Sequence, residues 1–81
     1  MKADADLYIN RGSLKHLLQD YKGAIDDYDN ALKIKPSDGD AYYNRALSKS
    51  QLGQNEEAYL DLRLASNYGN EMANSTLNEI K

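Results

Sequence analysis

The chain has 81 residues, no cysteine and a net charge of −3 at pH 7. This length suits one small domain, and the lack of cysteine excludes disulfides and Cys-ligated zinc. The negative charge argues against nucleic-acid binding, because a non-specific binder needs a basic surface to displace counterions. Valine is absent and threonine occurs once, which favours helix over sheet.

No apolar run of the sequence approaches the roughly 20 residues that a membrane span requires. The first six residues, MKADAD, also lack the apolar stretch of a signal peptide. We therefore expect a cytoplasmic protein that has no membrane partner.

Residue types that start and stop helices predict a helical hairpin in the first half of the chain. Asp4 or Asp6 can cap a first helix that runs to about Leu18. After a short turn, Asp20 is placed to cap a second helix over residues 21–34.

The third helix is bounded equally clearly. Pro36 cannot continue the second helix because proline has no amide hydrogen. Asp38 then caps a third helix that runs to about Gln51. Gly53 supplies the left-handed backbone conformation that ends it.

Two further helices are predicted in the remainder. Asn55 caps a fourth helix to about Tyr68, and Gly69 with Asn70 ends it. The tail over residues 71–81 is predicted to form a short fifth helix. Its apolar residues stand at near-helical spacing and are expected to pack inward: Met72, Leu77 and Ile80.

The second half of the chain repeats the first. Ten residues, from Asp4 to Ala31, recur in one register as the same residue types, from Asp38 to Ala65. The shift is about 34 residues, a period that is diagnostic of a helical-hairpin solenoid unit. Such units stack to bury their apolar faces and leave a curved surface free, so the repeat predicts protein or peptide binding.

On these residues the chain resembles the tetratricopeptide repeat family. The matching positions are an aromatic and a small residue on each first helix, the small and aromatic positions of each second helix, and the turn and closing residues: Tyr8, Tyr42, Gly12, Ala46, Ala24, Tyr28, Ala31, Ala58, Leu62, Ala65, Gly53 and Pro36. The resemblance implies an all-α right-handed solenoid in one domain over 1–81. Its parts would be repeat 1 over 5–38, repeat 2 over 39–70 and a capping helix over 71–81.

The chain departs from the family pattern at charged positions that recur in both copies. Arg11 and Arg45 stand where an apolar residue is common, and Lys15 and Lys49 where an aromatic is common. Aspartates recur in the same register at positions 27 and 61. We expect these groups to form ion pairs between packed helices, with a binding role as the alternative.

One side of each first helix is the candidate binding surface, because residues at i, i+3, i+4 and i+7 share a face. In the family this side lines a concave groove. The candidate groove residues are Asp6, Ile9, Asn10, Ser13, His16, Leu17, Asp40, Tyr43, Asn44, Leu47, Gln51, Asn74, Leu77 and Asn78.

Three asparagines in this set, Asn10, Asn44 and Asn78, are each separated from the next by one repeat. An amide side chain can both donate to and accept from a peptide backbone, and such a row resembles an asparagine ladder known in the family. The alternative is that these amides bond to neighbouring helices and fix the stacking.

A second binding mode of the family grips a terminal carboxylate with lysine, asparagine and arginine. At the corresponding positions this chain has one match, Asn44, and no cation: Ile9, Ser13, Asn44, Asn74 and Asn78. Without a charged partner for the carboxylate, that mode is rejected.

Catalytic and metal-binding constellations are missing from the sequence. His16 is the one histidine, and a lone histidine without cysteine does not form a zinc site. We expect a protein-interaction module that binds an extended peptide or a partner helix in its concave groove, with no enzymatic activity, no cofactor and no metal. The alternative is a self-assembling scaffold joined through the first helix, where Leu7 and Leu14 call for a cover. We expect that cover to come either from a second copy in a homodimer or from further repeats of a longer array.

Overall fold

A computed structural model describes residues 4–80 of the chain. The described residues form five helices and no strand: α1 (Ala5–Leu17), α2 (Tyr21–Ile34), α3 (Gly39–Gln51), α4 (Asn55–Asn67) and α5 (Glu71–Ile80). Helices α1 and α2 form one hairpin, α3 and α4 form a second, and α5 packs on α4. The all-α helical-hairpin solenoid predicted from the sequence is thus confirmed.

Aspartate side chains fix where the first three helices begin. Asp4 Oδ1 accepts from the Leu7 amide at 2.8 Å, which decides between the two caps considered for α1. Asp20 caps α2 and Asp38 caps α3 in the same way. These bonds satisfy amides that have no partner within the first turn of a helix.

The predicted cap of α4 is wrong by one residue. Asn55 is the first helical residue, and Gln54 occupies the capping position without a side-chain hydrogen bond. Gln54 is the counterpart of Asp20 in the second repeat, so the repeat register, rather than the residue type, sets this boundary. Glutamine is a poor substitute because its longer side chain does not fold back onto the amide as aspartate does.

The turns at the ends of α1 and α3 use the same backbone conformation. Gly53 has a φ of 78°, and Gln19, at the equivalent position of the first hairpin, has a φ of 66°. Glycine adopts this left-handed conformation without steric cost, whereas glutamine does not. The first hairpin therefore holds the same turn with a less suitable residue.

Small residues allow the helices of each hairpin to approach closely. Ala24, Ala31, Ala46 and Ala65 are almost fully buried. A Cβ placed on Gly12 would lie 2.8 Å from Cε1 of Tyr28, closer than two carbon atoms pack. The glycine therefore leaves room for the Tyr28 ring between α1 and α2.

Of the residues predicted to pack inward from α5, Leu77 does so and Met72 does not. Ala73 is fully buried and Leu77 packs on the second hairpin, but Met72 is 63% exposed. Asn70 Oδ1 accepts from the Ala73 amide at 2.8 Å and fixes the start of α5. Ala73 and Leu77 then form the inward stripe at i and i+4, and Met72 lies outside it. The predicted packing of Ile80 falls outside the side chains that the structure describes.

Candidate peptide-binding groove

A buried carboxylate joins the two helices of the first hairpin. Asp27 of α2 is 2% exposed, and its Oδ1 lies 2.7 Å from Nη2 of Arg11. Lys15 Nζ lies 3.2 Å from the other carboxylate oxygen of Asp27. The predicted ion pair of Asp27 is therefore confirmed, and it links α1 to α2 across their contact.

The second hairpin repeats this arrangement and extends it. Asp61 of α4 lies 2.8 Å from Nη2 of Arg45 and 3.1 Å from Nζ of Lys49, as predicted. Arg45 Nη1 also donates to Asp29 of α2 at 2.8 Å. Arg45 therefore joins three helices, and this last contact links the first hairpin to the second.

The ion pairs shift the pKa values of Asp27 and Arg45. The hydrogen bond from Arg11 holds the pKa of Asp27 below its usual value, although burial opposes this shift. Burial acts to lower the pKa of Arg45, but its bonds to Asp61 and Asp29 outweigh burial and raise it. Both shifts favour the charged forms of Asp27 and Arg45, which join the helices that carry the candidate groove.

Five of the predicted groove residues meet around one shallow cavity of about 200 Å³. The cavity lies between the C-terminal half of α1 and the middle of α3, beside the buried Tyr28 of α2. It is lined by Ser13, His16, Leu17, Tyr28, Asn44 and Leu47. The Tyr28 hydroxyl lies 3.2 Å from Oγ of Ser13, which places a polar group at the rim of an otherwise buried ring.

His16 has structural contacts as well as a place at the cavity. Its Nδ1 lies 2.8 Å from Oγ of Ser48, so it connects α1 to α3. Its ring also meets the ring of Tyr21 edge-on, with 5.1 Å between the centroids. The imidazole is therefore held in place by two neighbours on different helices.

Other predicted groove residues lie away from this cavity. Four of them are exposed on the helices without forming a shared pocket: Asp6, Asn10, Gln51 and Asn78. Ile9, Tyr43 and Leu77 pack against the buried clusters instead of projecting freely. Asp40 accepts a hydrogen bond from Asn70, and Asn74 accepts one from Ser66.

The asparagine row keeps its amides available for a partner. Between residues 4 and 80, no side-chain hydrogen bond joins Asn10, Asn44 or Asn78 to another described residue. Asn44 is half-buried at the cavity, and the other two are exposed. The donor and acceptor of Asn44 therefore remain available at the centre of the groove.

A second, more apolar cavity of about 340 Å³ was missed by the sequence analysis. It lies between α3, α4 and α5 and is lined by Ala46, Leu47, Ser50, Asn55, Ala58, Tyr59, Leu62 and Thr76. Leu47 borders both cavities, so the two form neighbouring parts of one surface. The helical periodicity predicts that Leu62 lies in the core. It does not predict which neighbouring residues stay exposed, because that depends on how far α5 covers them.

Comparison with known proteins agrees with this architecture. A family profile described as TPR repeat matches residues 12–53, and one described as tetratricopeptide repeat matches residues 39–68. The first of these matches covers more than half of the chain. The chain belongs to the tetratricopeptide repeat family. Repeats of this family generally mediate protein–protein interaction, and its members are typically scaffolds without enzymatic activity.

A relative among curated proteins is tetratricopeptide repeat protein 36 of Danio rerio. The two sequences are 37% identical over 73 aligned positions, and the match covers 85% of this chain and 39% of the relative. The chain thus spans about two fifths of the length of that relative. No solved structure gives a significant match to the chain. None of the helices within residues 4–80 is both long and apolar enough to cross a bilayer.

Proposed function

We propose that the chain binds an extended segment of a partner protein along the side of α1, α3 and α5 that carries Asn44. The observation that carries this proposal is the unpaired amide of Asn44 beside the cavity bordered by Ser13 and Leu47. The amide would pair with the partner's backbone, and the cavity would receive one side chain.

The size and composition of the cavity favour a peptide over a small molecule. Pockets for small molecules usually measure about 300–1,000 Å³ and enclose most of the ligand. The cavity at Asn44 is smaller, at about 200 Å³, and opens onto the surface. A peptide can fill such a cavity with one side chain and gain the rest of its affinity along the groove.

A peptide library displayed on phage and selected on the immobilised chain supplies a probe for this proposal. The affinity of a selected peptide is then compared between the wild type, Asn44→Ala and Asn67→Ala. Asn67 is an exposed asparagine on the outer face of α4 and serves as the matched control. We expect about tenfold weaker binding for Asn44→Ala and no change for Asn67→Ala.

Circular dichroism and thermal unfolding of both variants keep the result interpretable. If Asn44→Ala keeps both its stability and its affinity for the peptide, the ladder mechanism is wrong. If the variant instead loses stability, Asn44 fixes the stacking of the helices, as the alternative for this residue holds.

Self-assembly through the first helix is a second candidate function, favoured by the exposure of Leu7 and Leu14. In solenoid proteins, the outer face of a terminal repeat is normally polar, so exposed leucines on that face call for a cover. Sedimentation velocity from micromolar to millimolar concentration tests this function. A mass that stays monomeric over that range excludes it.

A further inference from the structure

The outer end of the first hairpin carries a surface that is separate from the groove. Leu7, Arg11 and Leu14 are spaced at i, i+4 and i+7 on one face of α1, and Leu18, the C-cap of this helix, continues that spacing. Leu7 is 55% exposed, Leu14 62% and Leu18 80%. We call these four residues the end face.

The equivalent face of α3 is covered, and it shows what the end face is built to contact. Ala41 and Ser48 hold the positions of Leu7 and Leu14 in the second repeat, and both are fully buried. Helix α2 packs on α3. Ala31 of α2 lies in the same buried cluster as Ala41. The structure thus contains a complete example of a helix docked on this face.

The equivalent arginines of the two faces differ in the number of aspartates that they bind: Arg45 binds two and Arg11 binds one. Arg45 Nη1 donates to Asp29 of the docked helix, and the Arg45 side chain is 18% exposed. Arg11 donates to Asp27 through Nε and Nη2, and its side chain is 58% exposed. Within residues 4–80, Nη1 of Arg11 has no carboxylate partner. The end face therefore combines three exposed leucines with an Arg11 nitrogen that has no carboxylate partner among residues 4–80.

We propose that the end face docks an acidic amphipathic helix of another protein, in the position that α2 takes on α3. One carboxylate of that helix binds Nη1 of Arg11, as Asp29 binds Arg45. This surface is independent of the proposed groove.

A second copy of this chain stacked head to tail fits the end face poorly. The residue of α4 equivalent to Asp29 is Arg63, which would meet Arg11 with like charge. Helix α5 also packs on α4, on the side where the next hairpin would stand. Charge complementarity therefore selects a foreign acidic helix over the chain's own C-terminal end.

The probe is a synthetic peptide of residues 21–34, held helical by a lactam between the side chains of Lys22 and Asp26. Both of these residues are exposed in the protein, so the bridge leaves the docking side free. A second peptide carries Asp29→Asn. Binding to the full chain is followed by nuclear magnetic resonance at the amides of Leu7 and Leu14, together with Nε of Arg11.

We expect the native peptide to bind the end face and the Asp29→Asn peptide to bind it about tenfold more weakly. Leu14→Glu should abolish binding, since it adds a negative charge beside Arg11. Leu60→Glu is the matched control, because Leu60 is 57% exposed on α4 and should leave binding unchanged. Neither leucine supports the core, so both variants should fold.

Several results would overturn this assignment. One is equal affinity of the two peptides; another is an equal effect of Leu14→Glu and Leu60→Glu. A third is the absence of chemical-shift changes at the Leu7 and Leu14 amides in the presence of 1 mM native peptide. A fourth is self-association of the chain that Leu14→Glu removes and that the native peptide does not inhibit. Asn44→Ala should not change the affinity, which separates this test from that of the groove.

Discussion

Replacing Asp61 by asparagine should destabilise the protein more than any other single neutralisation of an aspartate. Its carboxylate is 3% exposed, and its partners Arg45 and Lys49 are largely buried with it. Removing one member of a buried pair costs about 3–5 kcal/mol, because a charge is left without compensation. Arg45 retains Asp29, so we expect the lower end, about 3 kcal/mol.

That loss is a large part of the stability available to a chain of this length. At about 0.05–0.15 kcal/mol per residue, 81 residues give a free energy of unfolding of roughly 4–12 kcal/mol. Urea unfolding followed by circular dichroism measures the change directly. Asp26→Asn is the control, since Asp26 is exposed on α2 and should alter the stability by less than about 0.5 kcal/mol.

The equivalent substitution in the first hairpin should lower the free energy of unfolding by less than Asp61→Asn does. Asp27→Asn also removes a buried carboxylate, but its partner Arg11 is more than half exposed and can regain water. The reasoning is refuted if Asp27→Asn is as damaging as Asp61→Asn. It is also refuted if Asp61→Asn lowers the free energy of unfolding by less than about 1 kcal/mol.

Three further predictions follow from the packing and the ion pairs. Gly12→Ala should cost about 1–3 kcal/mol in urea unfolding, because its Cβ would crowd the Tyr28 ring; an unchanged midpoint would contradict this. The lowered pKa of Asp27 means that its contribution is present above its unfolded pKa of about 3.9 and is lost as the pH falls through its folded pKa. The wild type should therefore lose more stability below about pH 4 than Asp27→Asn, and parallel pH profiles would disprove this. Leu77→Ala should lower the melting temperature, whereas Met72→Ala should leave it nearly unchanged.

Recurrence at the repeat spacing explains why much of the scaffold was predictable. Asp27 and Asp61 share one register with their cations, so a single spacing predicts both ion pairs. The contact between Asp29 and Arg45 could not be found in this way, because the second copy has Arg63 where the first has Asp29. Contacts between hairpins depend on how the units stack, which one period does not specify.

The candidate site was predicted less completely than the scaffold. The helical period places Asn44 on one face with other candidate groove residues, but it does not predict that Tyr28 lines the same cavity. It also fails at Met72, because which of two adjacent apolar residues faces inward depends on where α5 starts. The Asn70 cap sets that start, and its effect is visible in the folded chain alone.

The proposed function depends on partner proteins binding along the side of α1, α3 and α5 that carries Asn44. The most direct measurement is a nuclear magnetic resonance titration of the labelled chain with a library-selected peptide. The account predicts that the largest shifts cluster at Ser13, His16, Asn44 and Leu47, the residues around the cavity. Shifts confined to the outer face of α4, around Leu60 and Asn67, would contradict it.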